Sequence, residues 1–176
     1  MAKIDTILIE GPDCSGKTTL VEQLKNTLHW DAKALHHRQG DQFLRYLKEY
    51  TQQQEVIFNR GHYSEAVYGQ LWRGGNPFSN DEKELLDQFC RQRMLVIFTC
   101  PPLELMTIRY SQRHYKQQIK IEELEQSRQL FCEVLKDIPH ITYTSQHWEE
   151  LEQVIETAQK IVRDSGVQYD LNRHRN

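Results

Sequence analysis

The chain has 176 residues, 38% of them hydrophobic and 27% charged, with 22 Lys and Arg against 25 Asp and Glu for a net charge of -3. That length suits one compact domain with a wet surface, and so even a charge balance argues against broad binding along a nucleic-acid backbone. The longest apolar run, residues 94–98, is far short of the roughly 18 residues that cross a bilayer, and no basic segment followed by an apolar one opens the chain, so no membrane association and a cytoplasmic location are expected.

In chain order, residues 3–9 (KIDTILI) predict a buried strand, and residues 17–28 a helix with Leu20, Val21, Leu24 and Leu28 at helical spacing. A weaker strand is expected at 32–37, a helix at 42–51 and a short strand at 55–58. Helices at 63–72 and 81–91 flank a loop with Gly74, Gly75 and Pro77. A strong strand at 95–99 stops at Pro101 and Pro102, which are well placed to open a helix at 103–112. A helix at 121–135, a strand at 140–144 and a helix from 148 to about 163 complete the pattern. Strands alternating with helices predict an α/β fold in three α/β/α layers around a mainly parallel five-stranded sheet. The expected unit is residues 1–164, with a short lid near 109–120. The polar, aperiodic tail at 165–176 is expected to be mobile unless a partner holds it. Cys14, Cys90, Cys100 and Cys132 show no zinc spacing, and without a secretion signal they are expected to stay reduced.

Between the first strand and the first helix stands Gly11-Pro12-Asp13-Cys14-Ser15-Gly16-Lys17-Thr18, which fits the phosphate-binding pattern G-x-x-x-x-G-K-[ST] of P-loop NTPases. Gly11 and Gly16 let the backbone curl so that successive N–H groups point at one phosphate near the positive end of the helix. Gly11, Asp13, Cys14, Ser15, Gly16, Lys17, Thr18 and Thr19 are therefore the candidate nucleotide-binding residues. Lys17 supplies a point charge at the outer phosphates, and the Thr18 hydroxyl is the expected protein ligand for magnesium. ATP with Mg2+ is the implied cofactor pair. An Asn/Thr-Lys-x-Asp base-reading segment and an acidic strand end are both missing, which disfavours a GTPase or a motor. Arg60 at a strand end, with Arg109 and Arg113 followed by His114, Tyr115 and Lys116, instead suits phosphoryl transfer, where cations meet a loose, highly charged transition state. Two other motifs carry less. His36-His37 has no further ligand at metal spacing and is taken as a strand end or phosphate contact. Cys14 near a helix N-terminus is a candidate redox-sensitive thiol.

These features, in this order, resemble the thymidylate kinase branch of the nucleoside monophosphate kinases. The match runs through Glu10, Gly11, Asp13, Gly16, Lys17 and Thr18, then Arg38, then Asn59-Arg60-Gly-His-Tyr-Ser-Glu-Ala-Val-Tyr-Gly, then Pro101, Pro102 and Arg109, and finally Arg113 and Glu122-Glu123. The resemblance implies transfer of the ATP γ-phosphoryl group to a nucleoside monophosphate, a dTMP-like acceptor first. It implies that Asp13 contacts the acceptor sugar, that Arg38 and Arg60 hold the acceptor phosphate, and that Arg109 and Arg113 close over the donor phosphates. Lys17, Arg60, Arg109 and Arg113 would then be catalytic. Tyr63 and Tyr68, with Trp72 on the same helix or Phe43, Arg45 and Tyr46 on the one before, are candidates to stack the base. Members of that family commonly pair as homodimers, although no interface signature stands out here. The chain departs from the family in two places: Asn59 replaces a usual Asp, and residues 41–57 leave no room for a second helix before the third strand. A deoxynucleoside kinase, which needs a carboxylate base after the second strand, and a nucleotide-binding sensor without turnover are the alternatives.

Overall fold

A computed structural model describes residues 3–113 and 119–173, without the side chains of 166–173. The elements follow the expected alternation: β1 (Thr6–Glu10), α1 (Lys17–Leu28), β2 (Asp31–Ala34), α2 (Gln42–Gln52), β3 (Val56–Asn59), α3 (His62–Trp72), α4 (Asn80–Arg93), β4 (Met94–Thr99), α5 (Leu103–Ser111), α6 (Glu123–Val134), β5 (Ile141–Tyr143) and α7 (Trp148–Arg173). The five strands form one parallel sheet in the order β2-β3-β1-β4-β5.

Every residue of β1 and β4 is buried, as central strands covered on both faces require. Alternation sorts their side chains. Ile7, Ile9, Ile57, Leu95 and Ile97 pack with Leu20 and Leu24 of α1 and with Leu151, Val154 and Ala158 of α7. Leu8, Val56, Phe58, Val96 and Phe98 face the opposite layer, where α2 to α6 contribute Tyr46, Tyr50, Val67, Leu86, Met106 and Phe131. The three-layer α/β/α sandwich is thus built on the period of two in the sheet. Local chemistry sets the helix starts: Asp41 accepts from the Leu44 N–H at 3.0 Å, and Ser79 with Glu82 forms a capping box on α4.

Several boundaries move by one to three residues, β1 starting at Thr6 rather than Lys3, and two differences matter for the site and the C-terminal segment. β2 stops at Ala34 rather than His37, because its partner β3 ends at Asn59, after which Arg60 turns out of the sheet with φ of 73°. One last bond, from the Leu35 N–H to the Asn59 carbonyl at 3.0 Å, closes the ladder. α7 runs on past Arg163 to Arg173, so the segment expected to be an aperiodic tail is helical in its first part. Ser165 ties that part to the sheet's N-terminal end, its Oγ accepting from the Ile4 N–H at 3.1 Å. No described helix is long and apolar enough to cross a membrane.

Candidate active site

The loop of residues 11–16 lies at the C-terminal edge of the sheet, where β1 sits between β3 and β4. Gly11 has φ of 144°, and a Cβ there would lie 2.3 Å from both the carbonyl oxygen and the Oγ1 of Thr99 on β4. A backbone oxygen in a central strand cannot swing aside. Gly11→Ala is therefore expected to lower the unfolding free energy by about 2–3 kcal/mol, read as a fall in the urea midpoint. Cys14 and Gly16 are also left-handed, at 64° and 92°. A non-glycine residue held there costs on the order of 1 kcal/mol, and such strain gathers at binding loops. Ser15 locks the loop to β4, its Oγ 2.5 Å from Thr99 Oγ1.

α1 begins at Lys17 with no side-chain cap and no acidic residue in its first turn, so its leading N–H groups and positive dipole end face the loop uncompensated. The Lys17 ammonium folds over the loop and donates to the Gly11 carbonyl at 2.7 Å, to the Pro12 carbonyl and to Ser15 Oγ at 3.3 Å. Burial and the neighbouring Arg60 charge push its pKa down to about 7. A second anion nearby would reverse that shift.

Beside the loop, Asp13, Arg60 and Tyr68 form one cluster. An Arg60 Nη2 donates to Asp13 Oδ1 at 2.5 Å, Tyr68 donates to Asp13 Oδ2 at 3.3 Å, and the guanidinium lies 4.9 Å over the Tyr68 ring. Burial acts to raise the Asp13 pKa, but the charges of Arg60, Lys17 and Arg113 outweigh it and hold the carboxyl below its usual range. Glu10, at the end of β1, is fully buried and caps α3. One carboxylate oxygen accepts from the Gly61 N–H at 2.8 Å and the Ser64 N–H at 3.2 Å, and the other accepts from the Ser64 hydroxyl. Burial raises its pKa, partly offset by these bonds. Glu10 thus orients the turn that presents Arg60.

On the other side, Arg109 from the last turn of α5 donates to Ser145 Oγ at 2.7 Å and to the Ser145 carbonyl at 2.8 Å, while Ser145 Oγ donates to the Ser15 carbonyl at 3.1 Å. Arg109 therefore joins the phosphate-binding loop to the connection between β5 and α7. The result is a cavity of about 620 Å³ whose wall includes Asp13, Cys14, Ser15, Gly16, Lys17, Thr18, Thr19, Asn59, Arg60, Arg109 and Arg113. Apart from Asn59, these are the expected nucleotide-binding and catalytic residues; of those only Gly11, which shapes the loop from behind, is off the wall. His36, Tyr143, Ser145, Gln146, His147, Trp148 and Leu151 complete the wall.

Several expected contacts lie elsewhere. Tyr63 does not meet the cavity: it is fully buried, its ring 3.8 Å from that of His62 and under Lys83 of α4. Five residues before Tyr68 on α3, it points about 140° away around the helix and into the core. Tyr46 is fully buried as well. Tyr68 touches Asp13 and Arg60 and stacks on Trp72 at 4.7 Å, but it stands behind the cavity wall. Arg38 is exposed and off the wall, where Gln42 holds its carbonyl and Gly40's at the start of α2; from this segment His36 lines the cavity instead. His37 instead pairs with the buried carboxylate of Glu65 at 2.7 Å, and no cluster among the described residues suits a transition metal. Burial raises the Cys14 thiol pKa, contrary to an activated thiolate. His114, Tyr115 and Lys116 lie outside the described residues.

No protein-family model matches the chain, and no curated protein matches it. Solved structures do. YorR protein from Bacillus subtilis, in complex with phosphorylated GDP, aligns with a TM-score of 0.70 at 19% identity over 97% of this chain and 99% of that one. Deoxyadenosine kinase from M. mycoides with bound dCTP aligns at 0.59 and 15% identity over 88% of this chain and 99% of its own. Shikimate kinase from Acinetobacter baumannii, in complex with shikimate, aligns at 0.59 and 16% over 92% and 94%. The chain has the fold of the P-loop kinases. At these identities the likeness speaks for the fold alone, and substrate chemistry has to come from the cavity.

Proposed function

We propose that this chain is a magnesium- and ATP-dependent phosphotransferase that moves the γ-phosphoryl group to a nucleoside monophosphate, with a deoxynucleotide such as dTMP the first acceptor to try. One observation carries the choice of acceptor. Lys17, Arg60, Arg109 and Arg113 line the cavity, whereas its sole carboxylate among the described residues is Asp13, already bound by Arg60. A nucleoside 5′-hydroxyl must lose a proton during attack and needs a free base. A monophosphate arrives ionised and needs cations, which this wall supplies.

In this reading the loop N–H groups and Lys17 hold the outer phosphates of ATP, while Arg60 grips the acceptor phosphate. Arg109 and Arg113 meet the charge that develops between them. Asn59 Oδ1 is buried on the cavity wall without a hydrogen-bond partner, and the exposed Thr18 hydroxyl lies on the same wall. Two neutral oxygens facing a phosphate site fit a magnesium ion that keeps most of its water and phosphate ligands. The ion would neutralise charge across the phosphates.

Coupled ADP-release assays with dTMP, dUMP, dCMP, dAMP and dGMP test the proposal. The guanine nucleotide belongs in the panel because the Bacillus subtilis structure holds phosphorylated GDP. Stimulation by thymidine or deoxycytidine alone would favour a nucleoside kinase, and no stimulation by any monophosphate would sink the proposal.

The Lys17 shift adds a second test. With a pKa of about 7 in the free chain, most Lys17 side chains are neutral at pH 8. Triphosphate binding restores the charged form, so calorimetry at pH 8 in buffers of different ionisation enthalpy is expected to show uptake of most of one proton. Buffer-independent heats would show either that Lys17 is already charged in the free chain or that it does not engage the phosphates.

A further inference from the structure

Cys100 follows β4 directly, and Cys132 lies in the last turn of α6; their sulfurs are 3.9 Å apart across 32 residues of sequence. Cys132 is exposed and Cys100 half-buried, whereas Cys14 and Cys90 are enclosed at 2% exposure each. Arg128 sits one turn before Cys132 on the same helix. Its Nη1 points at Cys100 Sγ at 3.7 Å, while its Nε is held by Glu125 at 3.1 Å. A guanidinium N–H held in place by Glu125 therefore faces one sulfur of a reachable pair.

We propose that Cys100 and Cys132 form a thiol–disulfide site oxidised by a low-molecular-weight disulfide of the glutathione class. Cys100, as the thiolate beside Arg128, attacks one sulfur of the small disulfide. That S–S bond breaks, one small thiolate leaves, and Cys100 carries a mixed disulfide. Cys132 then gives up its proton to water and attacks Cys100 Sγ, expelling the second small thiolate. The protein loses two hydrogens and two electrons, and the small disulfide gains both to become two thiols. The sulfurs must close by roughly 2 Å to reach bonding distance, a movement that turning an exposed side chain can cover. Partial desolvation of its sulfur and the neighbouring Cys100 push the Cys132 thiol pKa up to about 11, consistent with Cys132 acting second. The bond would close a loop holding α5 and most of α6, and with them Arg109 and Arg113.

The test is intact-mass analysis of the full chain after incubation with glutathione disulfide, followed by peptide mapping without reduction. The wild-type chain is expected to lose the mass of a hydrogen pair and yield one peptide linking residues 100 and 132. Its Tm is expected to rise by roughly 5–10 °C, because the loop is constrained in the unfolded chain. Cys132→Ser should stop at a stable glutathione adduct on Cys100, and Cys100→Ser should react far more slowly. Four free thiols persisting in the folded wild type, or a wild-type chain that keeps the adduct as Cys132→Ser does, would overturn the proposal. Neither result bears on phosphoryl transfer.

Discussion

Lys17→Ala is expected to lower kcat by roughly a thousandfold, equivalent to about 4 kcal/mol of lost transition-state stabilisation. The ammonium is buried against the carbonyls of Gly11 and Pro12, so it already stands inside the loop where outer phosphates would rest. The same variant should also alter stability in a diagnostic way. The folded pKa near 7 is below the ordinary 10.5, so between these values the unfolded chain binds the extra proton. Stability from this group therefore rises with pH through that window, and its penalty is fully present below pH 7. Urea midpoints at pH 7 and pH 10 should diverge less in Lys17→Ala than in the wild type. An unchanged kcat would remove Lys17 from the reaction, and an unchanged pH slope would show that its charge is not disfavoured in the free chain.

The sequence carried the central sheet and the loop most clearly. Buried central strands such as β1 and β4 announce themselves by apolar runs, Ile7 to Ile9 and Met94 to Phe98, and Gly11 and Gly16 bracket a turn at positive φ. Edge strands are harder: β2 is mostly exposed and β5 has three residues, so neither has a hydrophobic pattern that marks its ends. α3 defeats periodicity for the opposite reason. His62 to Gly69 are all buried, and a helix covered on every side offers no apolar stripe to show which face meets the cavity. Tyr63 was misplaced on that account. Ser145 and Trp148 carry no sequence motif, because their place on the cavity wall comes from a connection after β5 that closes on a loop 130 residues earlier, as in the bond from Ser145 to Ser15. The only local hint is their position just past a strand at the sheet's C-terminal edge, where ligands of open α/β sheets bind. Arg38 shows the converse limit, since a loop residue's direction depends on the Gln42 bonds that fix the loop.

Arg60→Ala is expected to raise the acceptor KM and to lower kcat, together reducing kcat/KM for the acceptor by roughly 100- to 1,000-fold. The size of the effect follows from how much converges on this side chain. It holds Asp13 at 2.5 Å, stacks on Tyr68 and borders the cavity, and its left-handed backbone is fixed by the Gly61 turn that Glu10 caps. If Arg60 holds the acceptor as proposed, removing the guanidinium takes away that cation and leaves Asp13 with a half-satisfied carboxylate facing the incoming phosphates, so repulsion is added to lost attraction. With its largest opposing charge gone, the Asp13 pKa should climb from its lowered position. A carboxylate whose folded pKa is depressed contributes stability above its unfolded pKa and loses it as pH falls. The variant should therefore lose less stability than the wild type on acidification below about pH 4. Arg60→Lys should recover little, because a lysine cannot reproduce the planar stacking on Tyr68 while also reaching Asp13. The decisive measurement is the pair of steady-state constants: an Arg60→Ala enzyme with wild-type acceptor KM and kcat would take this residue out of the acceptor site and leave Arg109 and Arg113 as the cations to test.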